Sequence, residues 1–438
     1  MSQPKISLES RLATLPFWPV IAVILIAEGI LLIGVLPAIE GKLGSYYWFS
    51  FVDDYDKLAL SLSHGEGYRF TADTAPTLAR EPGFPMFLSV IFYLFGYGIA
   101  AVRVANLLLA GVAAALTARL AASARAPAGV GIMAAVLFLI HPGVLAAEAR
   151  GGVEMLYIVF TLLFLLALMH AIQRQKVQAF FIAGLMLGLT SSVRSTSLLF
   201  PAFLPIYLYF WQHPRPPTLR IAACTAAVAL GAALVLTPWM IRNYMLVGIP
   251  VPTASVQGIA ANAGQYICKH LSLNNGFQQL DTEASQQRAE LALRDGYRFK
   301  TDYYLYFYDA RDEVAFNGSL NKLALAEYRK SPALFAKCVS SNLFNYWFAG
   351  KNWTSTGLNF VIQLPYIILA SIGAWITVAR LRLPAPALLL LFLLYSMGVY
   401  LPIHAQARYS IPIIPLMAIF AAVTLGSWLR RNPPIEAT

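Results

Sequence analysis

The chain has 438 residues, 58% of them hydrophobic and only 12% charged. Soluble proteins carry about 25% charged residues, so a soluble enzyme is nearly excluded and an integral membrane protein is indicated. The 13% aromatic content rules out a disordered chain, and the net charge of +11, from 32 basic and 21 acidic residues, has to be tested against membrane topology before nucleic acid is considered.

The first apolar segment, roughly residues 17–39, is too long for the core of a signal peptide, and no small-residue cleavage site follows it. It reads as a retained first span. Further apolar runs at 99–122, 128–147, 155–172, 178–193, 197–212, 219–238, 358–379, 385–402 and 409–428 predict an all-α integral membrane protein of about ten transmembrane helices. The runs at 178–193 and 197–212 are short for spans.

Short loops on one side of these spans hold Lys5, Arg11, Arg119, Arg125, Arg174, Lys176, Arg215, Arg220, Arg380, Arg382, Arg430 and Arg431, with only Glu9 and Glu436 among the acids. That bias marks the cytoplasmic side and puts both termini there, in a plasma or inner membrane. It accounts for the positive charge without nucleic acid as a partner.

Two long segments then face outward. The first, 40–98, belongs to a membrane module at 1–238; the second, 239–357, reads as a small, mostly helical outer domain, and 358–438 returns to the membrane. In the first loop, DYDKLALSLS (54–63) has helical periodicity, and FPMFLSVIFYLFGY (84–97) is apolar but too short to span. Both read as interfacial helices, the alternative for 84–97 being that it opens the second span. In the outer domain, EASQQRAELALRDGYRFK and SPALFAKCVSSNLFNYWF are the helix-prone stretches. Cys268 and Cys338 share that segment and can pair if it is extracytoplasmic; their spacing leaves the pairing open.

Ionisable groups at span ends are functional candidates by default, because lipid penalises them. The outer ends collect Asp53, Asp54 and Asp56, then Arg80 and Glu81 in AREPGFP, and Glu148, Arg150 and Glu154 in HPGVLAAEARGGVEMLY. Arg194 follows in GLTSSVRSTS, Arg242 in TPWMIRNY, and His404, Arg408 and Tyr409 in HAQARYSIPIIP. Carboxylates and arginines from separate turns that face one another suit a phosphate-bearing substrate: guanidinium forks bind phosphate, and a carboxylate takes a proton. The bland alternative is that each arginine snorkels to headgroups or neutralises a nearby acid. No HExxH, GxSxG, P-loop or GxGxxG motif is present, and no ligand cluster demands a metal.

In order and spacing these pieces resemble the GT-C superfamily of polytopic glycosyltransferases, above all the bacterial branch related to protein O-mannosyltransferases and lipid A aminoarabinose transferases. The resemblance rests on DDYDKLALSLSHGEGY, AREPGFPMFLSVIFYLFG, GVEMLYIVFTLLFLLAL, LGLTSSVRSTSLLFP, TPWMIRNYMLVGIPVP and ARYSIPIIPLMAIF. It covers most of the membrane portion and leaves 255–357 unmatched.

The resemblance implies transfer of one sugar from a polyprenyl-phosphate donor to a glycolipid, polysaccharide or protein acceptor at the outer face, with inversion. It puts the catalytic base on Asp53 or Asp54, with a slight lean to Asp54, and a second acid at Glu154. Arg80, Arg242 and Arg408 match arginines of the lipid-phosphate pocket, with Arg194, His404 and Tyr409 beside them. Glu81 stands where many relatives have proline, either as an extra site acid or as a partner of Arg80. No cofactor is implied, although a divalent metal ion could assist departure of the phosphate. The competing readings are a transporter or flippase of a lipid-linked substrate, whose buried charges would sit near mid-membrane, and an oligosaccharide ligase or polymerase.

Overall fold

The computed structural model describes residues 17–43, 51–124, 126, 128–272, 275–301 and 304–431. Lys5, Glu9, Arg11, Arg125 and Glu436 lie outside the described residues, as do the side chains of Arg430 and Arg431. The fold is that of an all-α membrane protein; among the described residues the single sheet is a two-stranded hairpin.

Helix α1 (Phe17–Gly29) continues through a π turn at Ile30–Val35 into α2 (Leu36–Leu43). Two short helices of the first outer loop follow, α3 (Tyr55–Ser63) and α4 (Gly83–Phe95), before α5 (Ile99–Ser123). Gly96, left-handed at φ 80°, ends α4, so 84–97 is a helix of its own and does not open the second span. It buries Phe84, Leu88, Ile91 and Phe92 against α3 and α5 and leaves Val90, Tyr93, Leu94 and Phe95 exposed.

The expected span at 128–147 is broken. Helices α6 (Ala128–Leu139) and α7 (Pro142–Ala149) meet at 55°, because Pro142 lacks the amide that would continue the ladder and His141 Nδ1 accepts the Gly143 amide at 3.0 Å as a cap. The carbonyls that end α7 are satisfied from α5: Arg103 Nε donates to Ala149 O at 3.0 Å and Asn106 Nδ2 to Arg150 O at 2.8 Å. These two polar side chains, buried in an apolar helix, thereby fix the turn that leads to α8 (Glu154–Arg174).

Helix α9 (Val177–Val193) packs on α11 (Thr218–Val247) through small residues. A Cβ on Gly184 would collide with Val228 O, and one on Gly231 with Phe181 O; with Gly188 they make a small-xxx-small contact that lets the backbones touch, as lipid-embedded helices require. Between them, Pro201 and Pro205 reduce the expected span at 197–212 to short 3-10 turns and α10 (Leu204–Phe210). Helix α11 runs through Pro238 to Val247, so residue 239, taken from the sequence as the start of the outer domain, lies inside it.

The segment read from the sequence as the outer domain comprises α12 (Gln257–His270), α13 (Phe277–Arg294), β1 (Phe299–Thr301) paired antiparallel with β2 (Leu305–Phe307), α14 (Ala310–Lys330) and α15 (Pro332–Phe348). It is helical as expected; the hairpin, entered where Gly296 at φ 81° ends the helical run, was not expected. The chain returns through α16 (Trp353–Ala374), α17 (Pro384–Gly398), a 3-10 segment (Ala407–Ile413) and α18 (Ile414–Arg431).

Among the described residues six helical segments are long and apolar enough to cross a membrane, or seven if the bent α6–α7 pair is one span. With 17, 7 and 15 residues, α9, α10 and α17 fall short of the spans expected at 178–193, 197–212 and 385–402. The expectation of about ten spans is therefore not met by length and composition.

Cys268 on α12 and Cys338 on α15 are bonded, with Cα atoms 5.4 Å apart and 70 residues between them. Closing a loop of that length restricts the unfolded chain by about 4 kcal/mol in the chain-entropy model. Cys268→Ser is expected to lower the melting temperature of the outer domain, and a reductant should lower that of the wild type to the same point. A reductant with no effect on the wild type would refute the bond.

Candidate active site

A cavity of about 700 Å³ lies between the membrane helices and the outer domain. Asp53 reaches it from the first outer loop, Arg80 and Glu81 from the turn before α4, Glu154 from the start of α8 and Arg194 from the end of α9. His404, Arg408 and Tyr409 come from the segment before α18, and α12, α13 and Tyr304 of the outer domain close the far side. Many of the candidate charges are thus gathered into one place, while Asp54, Asp56, Glu148, Arg150 and Arg242 are not in its lining.

The geometry begins with backbone placement. Phe51 pairs with Gly151 in an isolated parallel bridge, and a Cβ at Gly151 would collide with the Phe51 ring. Asp53 and Asp54 follow in the left-handed region at φ 62° and 57°, a conformation that costs non-glycine residues about 1–3 kcal/mol each and gathers at functional sites. The two carboxylates go to different surroundings.

Asp53 lines the cavity and is held by Arg408 as a fork: Nη1 lies 3.0 Å from Oδ2 and Nη2 donates to Oδ1 at 3.3 Å. Tyr304 also donates to Oδ1, at 2.9 Å, and Arg80 Nε donates to the Asp53 carbonyl at 3.1 Å. Burial alone would raise the carboxyl, but the Arg408 and Arg80 guanidinium groups, with the hydrogen bonds from Arg408 and Tyr304, hold it well below the usual carboxylate range. Asp54 does not line the cavity. Its Oδ1 pairs with Lys57 at 3.1 Å and its Oδ2 accepts the Tyr306 hydroxyl at 2.6 Å.

Glu154 lines the cavity in the first turn of α8, where the helix dipole favours a negative charge. It accepts no hydrogen bond among the described residues. Glu81 lines the cavity, and its Oε1 accepts the amide and hydroxyl of Ser195 at 3.0 and 2.6 Å, which pins the residue next to Arg194. Arg194 lies over the rings of Tyr409 and Tyr400, at 4.7 and 5.6 Å.

Arg242 stands behind the cavity wall. Its Nη1 donates to Thr77 O at 2.8 Å, and the guanidinium covers Trp239 and Tyr68, while the Tyr68 hydroxyl reaches the carbonyls of Arg80 and Glu81 at 3.0 Å. Glu313 of α14 grips the same loop through Thr77 Oγ1, Leu78 N and Ser255 Oγ at 2.6, 3.0 and 2.8 Å. Both residues therefore shape the loop that carries Arg80.

Three cavity arginines keep a buried N–H with no hydrogen-bond partner: Arg80 Nη2, Arg194 Nη1 and Arg408 Nε. Buried donors of this kind are rare, and guanidinium groups that line one cavity have the chemistry to bind an anion. His404 accepts from Gln406 Nε2 at 2.8 Å. Burial lowers its imidazole to about 4, against the pull of Asp281 and with the push of Arg408 and Arg288, so it is neutral at physiological pH. Among the described residues no three His, Cys, Asp or Glu side chains gather as metal ligands; a divalent ion here would have to draw ligands from its substrate as well.

The sequence reasoning missed Tyr55, Tyr304 and Tyr400 in the cavity lining. The run YYLYFY at 303–308, aromatic at every position but 305, favours a strand and was the available signal for Tyr304.

Residues 76–241 match the family model of dolichyl-phosphate-mannose-protein mannosyltransferases. The fold is similar to that of the archaeal oligosaccharyltransferase AglB from Archaeoglobus fulgidus, solved with an inhibitory peptide and a dolichol-phosphate: 12% identity, 95% of this chain and 50% of that one covered, TM-score 0.56. A second structure of the Archaeoglobus fulgidus oligosaccharyltransferase, tethered to an acceptor peptide, gives 11% identity, the same coverage and a TM-score of 0.53. ArnT from Cupriavidus metallidurans, bound to undecaprenyl phosphate, is a weaker likeness on which nothing further rests: 14% identity, 93% and 59% covered, TM-score 0.40. No curated protein matches. The family match covers less than half of the chain, and at 11–12% identity the archaeal structures show a shared fold. The chain spans about half the length of the archaeal structures it matches.

Proposed function

We propose that this protein transfers a single sugar from a polyprenyl-phosphate donor to an acceptor hydroxyl on a glycolipid, polysaccharide or protein, at the outer face of the membrane. The observation that carries this reading is the convergence of Arg80, Arg194 and Arg408, each with an unpartnered buried donor, on a cavity that also presents Asp53 and Glu154. Leu198, Leu199, Val399 and Ile403 in the wall suit a lipid chain beside the phosphate. A cavity of about 700 Å³ lies within the ~300–1,000 Å³ range of small-ligand pockets.

The three guanidinium groups bind the donor phosphate and stabilise the charge that grows on it as the glycosidic bond breaks. A carboxylate accepts the acceptor hydroxyl proton as the oxygen attacks the anomeric carbon, and direct displacement inverts that centre. Asp53 takes this role in preference to Asp54, which faces Lys57 and Tyr306 instead of the cavity. Arg408 touches both parts of the reaction: an arriving phosphate competes for its fork, and the Asp53 carboxylate becomes more basic as the fork is shared. Glu154 adds a second negative group beside the reacting sugar. The Cys268–Cys338 bond and the basic inner loops support an outward-facing site with both termini in the cytoplasm.

The test is turnover of a panel of polyprenyl-phosphate sugars by purified protein in lipid, with release of polyprenyl phosphate as the readout. Release that depends on acceptor supports the transferase. Movement of the intact lipid-linked sugar across the bilayer without cleavage would overturn it in favour of a flippase, and a product carrying a preassembled glycan would favour a ligase.

A further inference from the structure

The hairpin of the outer domain belongs to the segment that carries none of the matched motifs, yet it reaches both aspartates of the first outer loop. Tyr304 sits at the turn that leads into β2 and Tyr306 within that strand. Tyr304 donates to Asp53 Oδ1 at 2.9 Å and Tyr306 to Asp54 Oδ2 at 2.6 Å. Consecutive left-handed residues on one strand of chain are thus met by alternate tyrosines on another, across more than 250 positions of sequence.

The two tyrosines have different surroundings. Tyr306 is 1% exposed, stacks on Phe70 at 4.4 Å and accepts the Lys57 ammonium at 2.8 Å. With Asp54 and Lys57 it closes a triangle of charge-assisted bonds away from the cavity, which makes it the anchor. Tyr304 lines the cavity, and its ring lies under the Arg80 guanidinium at 4.1 Å. One side chain therefore contacts both the carboxylate and one of the guanidinium groups.

We propose that Tyr304 is a positioning residue: its hydroxyl, delivered by the outer domain and anchored by Tyr306, sets the orientation of the Asp53 carboxylate, so that the active site is complete only when the outer domain is docked on the first outer loop. This rests on the reading of Asp53 as the carboxylate of the transfer reaction. The charged and titratable groups that face Asp53 are Arg408 from the segment before α18, Arg80 from the turn before α4, Tyr55 at the start of α3 and Tyr304 from the hairpin.

Tyr304→Phe removes the hydroxyl and keeps the ring against Arg80. With the polyprenyl-phosphate sugar as substrate it is expected to lower kcat by about tenfold, to leave the donor KM within about twofold, and to move the acid limb of the pH–rate profile upward, because ionised Asp53 loses a donor. Tyr306→Phe is expected to lower the melting temperature and leave that limb in place. The same shift is readable without substrate, as an upward move in the acid midpoint of melting temperature against pH in Tyr304→Phe, absent when Asp53→Asn is the background. Wild-type kcat and an unmoved acid limb in Tyr304→Phe, with Asp53→Asn inactive, would overturn the positioning role alone; full activity of Asp53→Asn would overturn both this role and the reading on which it rests.

Discussion

Asp53→Asn is expected to lower turnover by roughly 10²- to 10⁴-fold, the usual share of a general base, in a protein that still folds. The amide keeps the shape of the carboxylate and can still accept from Tyr304, so the hydrogen bond at 2.9 Å survives while the proton-accepting capacity is lost. Asp54→Asn should differ in kind. Its carboxylate is bound by Lys57 and Tyr306, outside the cavity, and its loss should cost about 1 kcal/mol of stability and no more than a few-fold in kcat. Parallel measurement of kcat and melting temperature separates the two. An inactive Asp54→Asn beside an active Asp53→Asn would reverse the assignment.

Arg408→Ala should have the second largest effect, and it should appear twice. Donor binding weakens because one of three converging guanidinium groups is gone, so the donor KM rises. Stability also falls, because Asp53 loses the fork that compensates its burial. Removing one partner of a buried pair costs about 3–5 kcal/mol, and the lower end applies to a pair that borders a cavity. The pH dependence gives the sign. The folded state holds Asp53 below its unfolded value of about 3.9, so the stability contributed by the ionised form is present above that value and is lost as pH falls toward the depressed one. The gap in melting temperature between wild type and Arg408→Ala should therefore be wide at neutral pH and close as pH falls below about 4. A gap of equal width at pH 3 and pH 7 would mean that Arg408 does not stabilise the Asp53 charge.

Much of the site was legible in the sequence because charge at the end of an apolar run is costly and stands out. Asp53, Arg80, Glu154, Arg194 and Arg408 all announce themselves in this way, and all line the cavity. Arg242 announces itself equally well but supports the loop from behind, and only the path of α11 beyond Pro238 makes that visible. Which of Asp53 and Asp54 faces the cavity was not legible either, since it depends on two successive left-handed backbone angles and on partners more than 250 residues away. The fold class followed from composition alone. The count of spans did not, because a run such as 197–212 is apolar enough to suggest a span while its prolines prevent a long helix.

The bridge between Phe51 and Gly151 bears on how such proteins can be recombined. The first outer loop and the turn between α7 and α8 are distant in sequence but interlock at a glycine that has no room for a side chain. A chimera that imports the stretch around Asp53 from a relative would inherit a mismatched seat unless the 147–153 turn travels with it. The unit of exchange is thus a pair of segments, and the aspartate cannot be grafted as a single module.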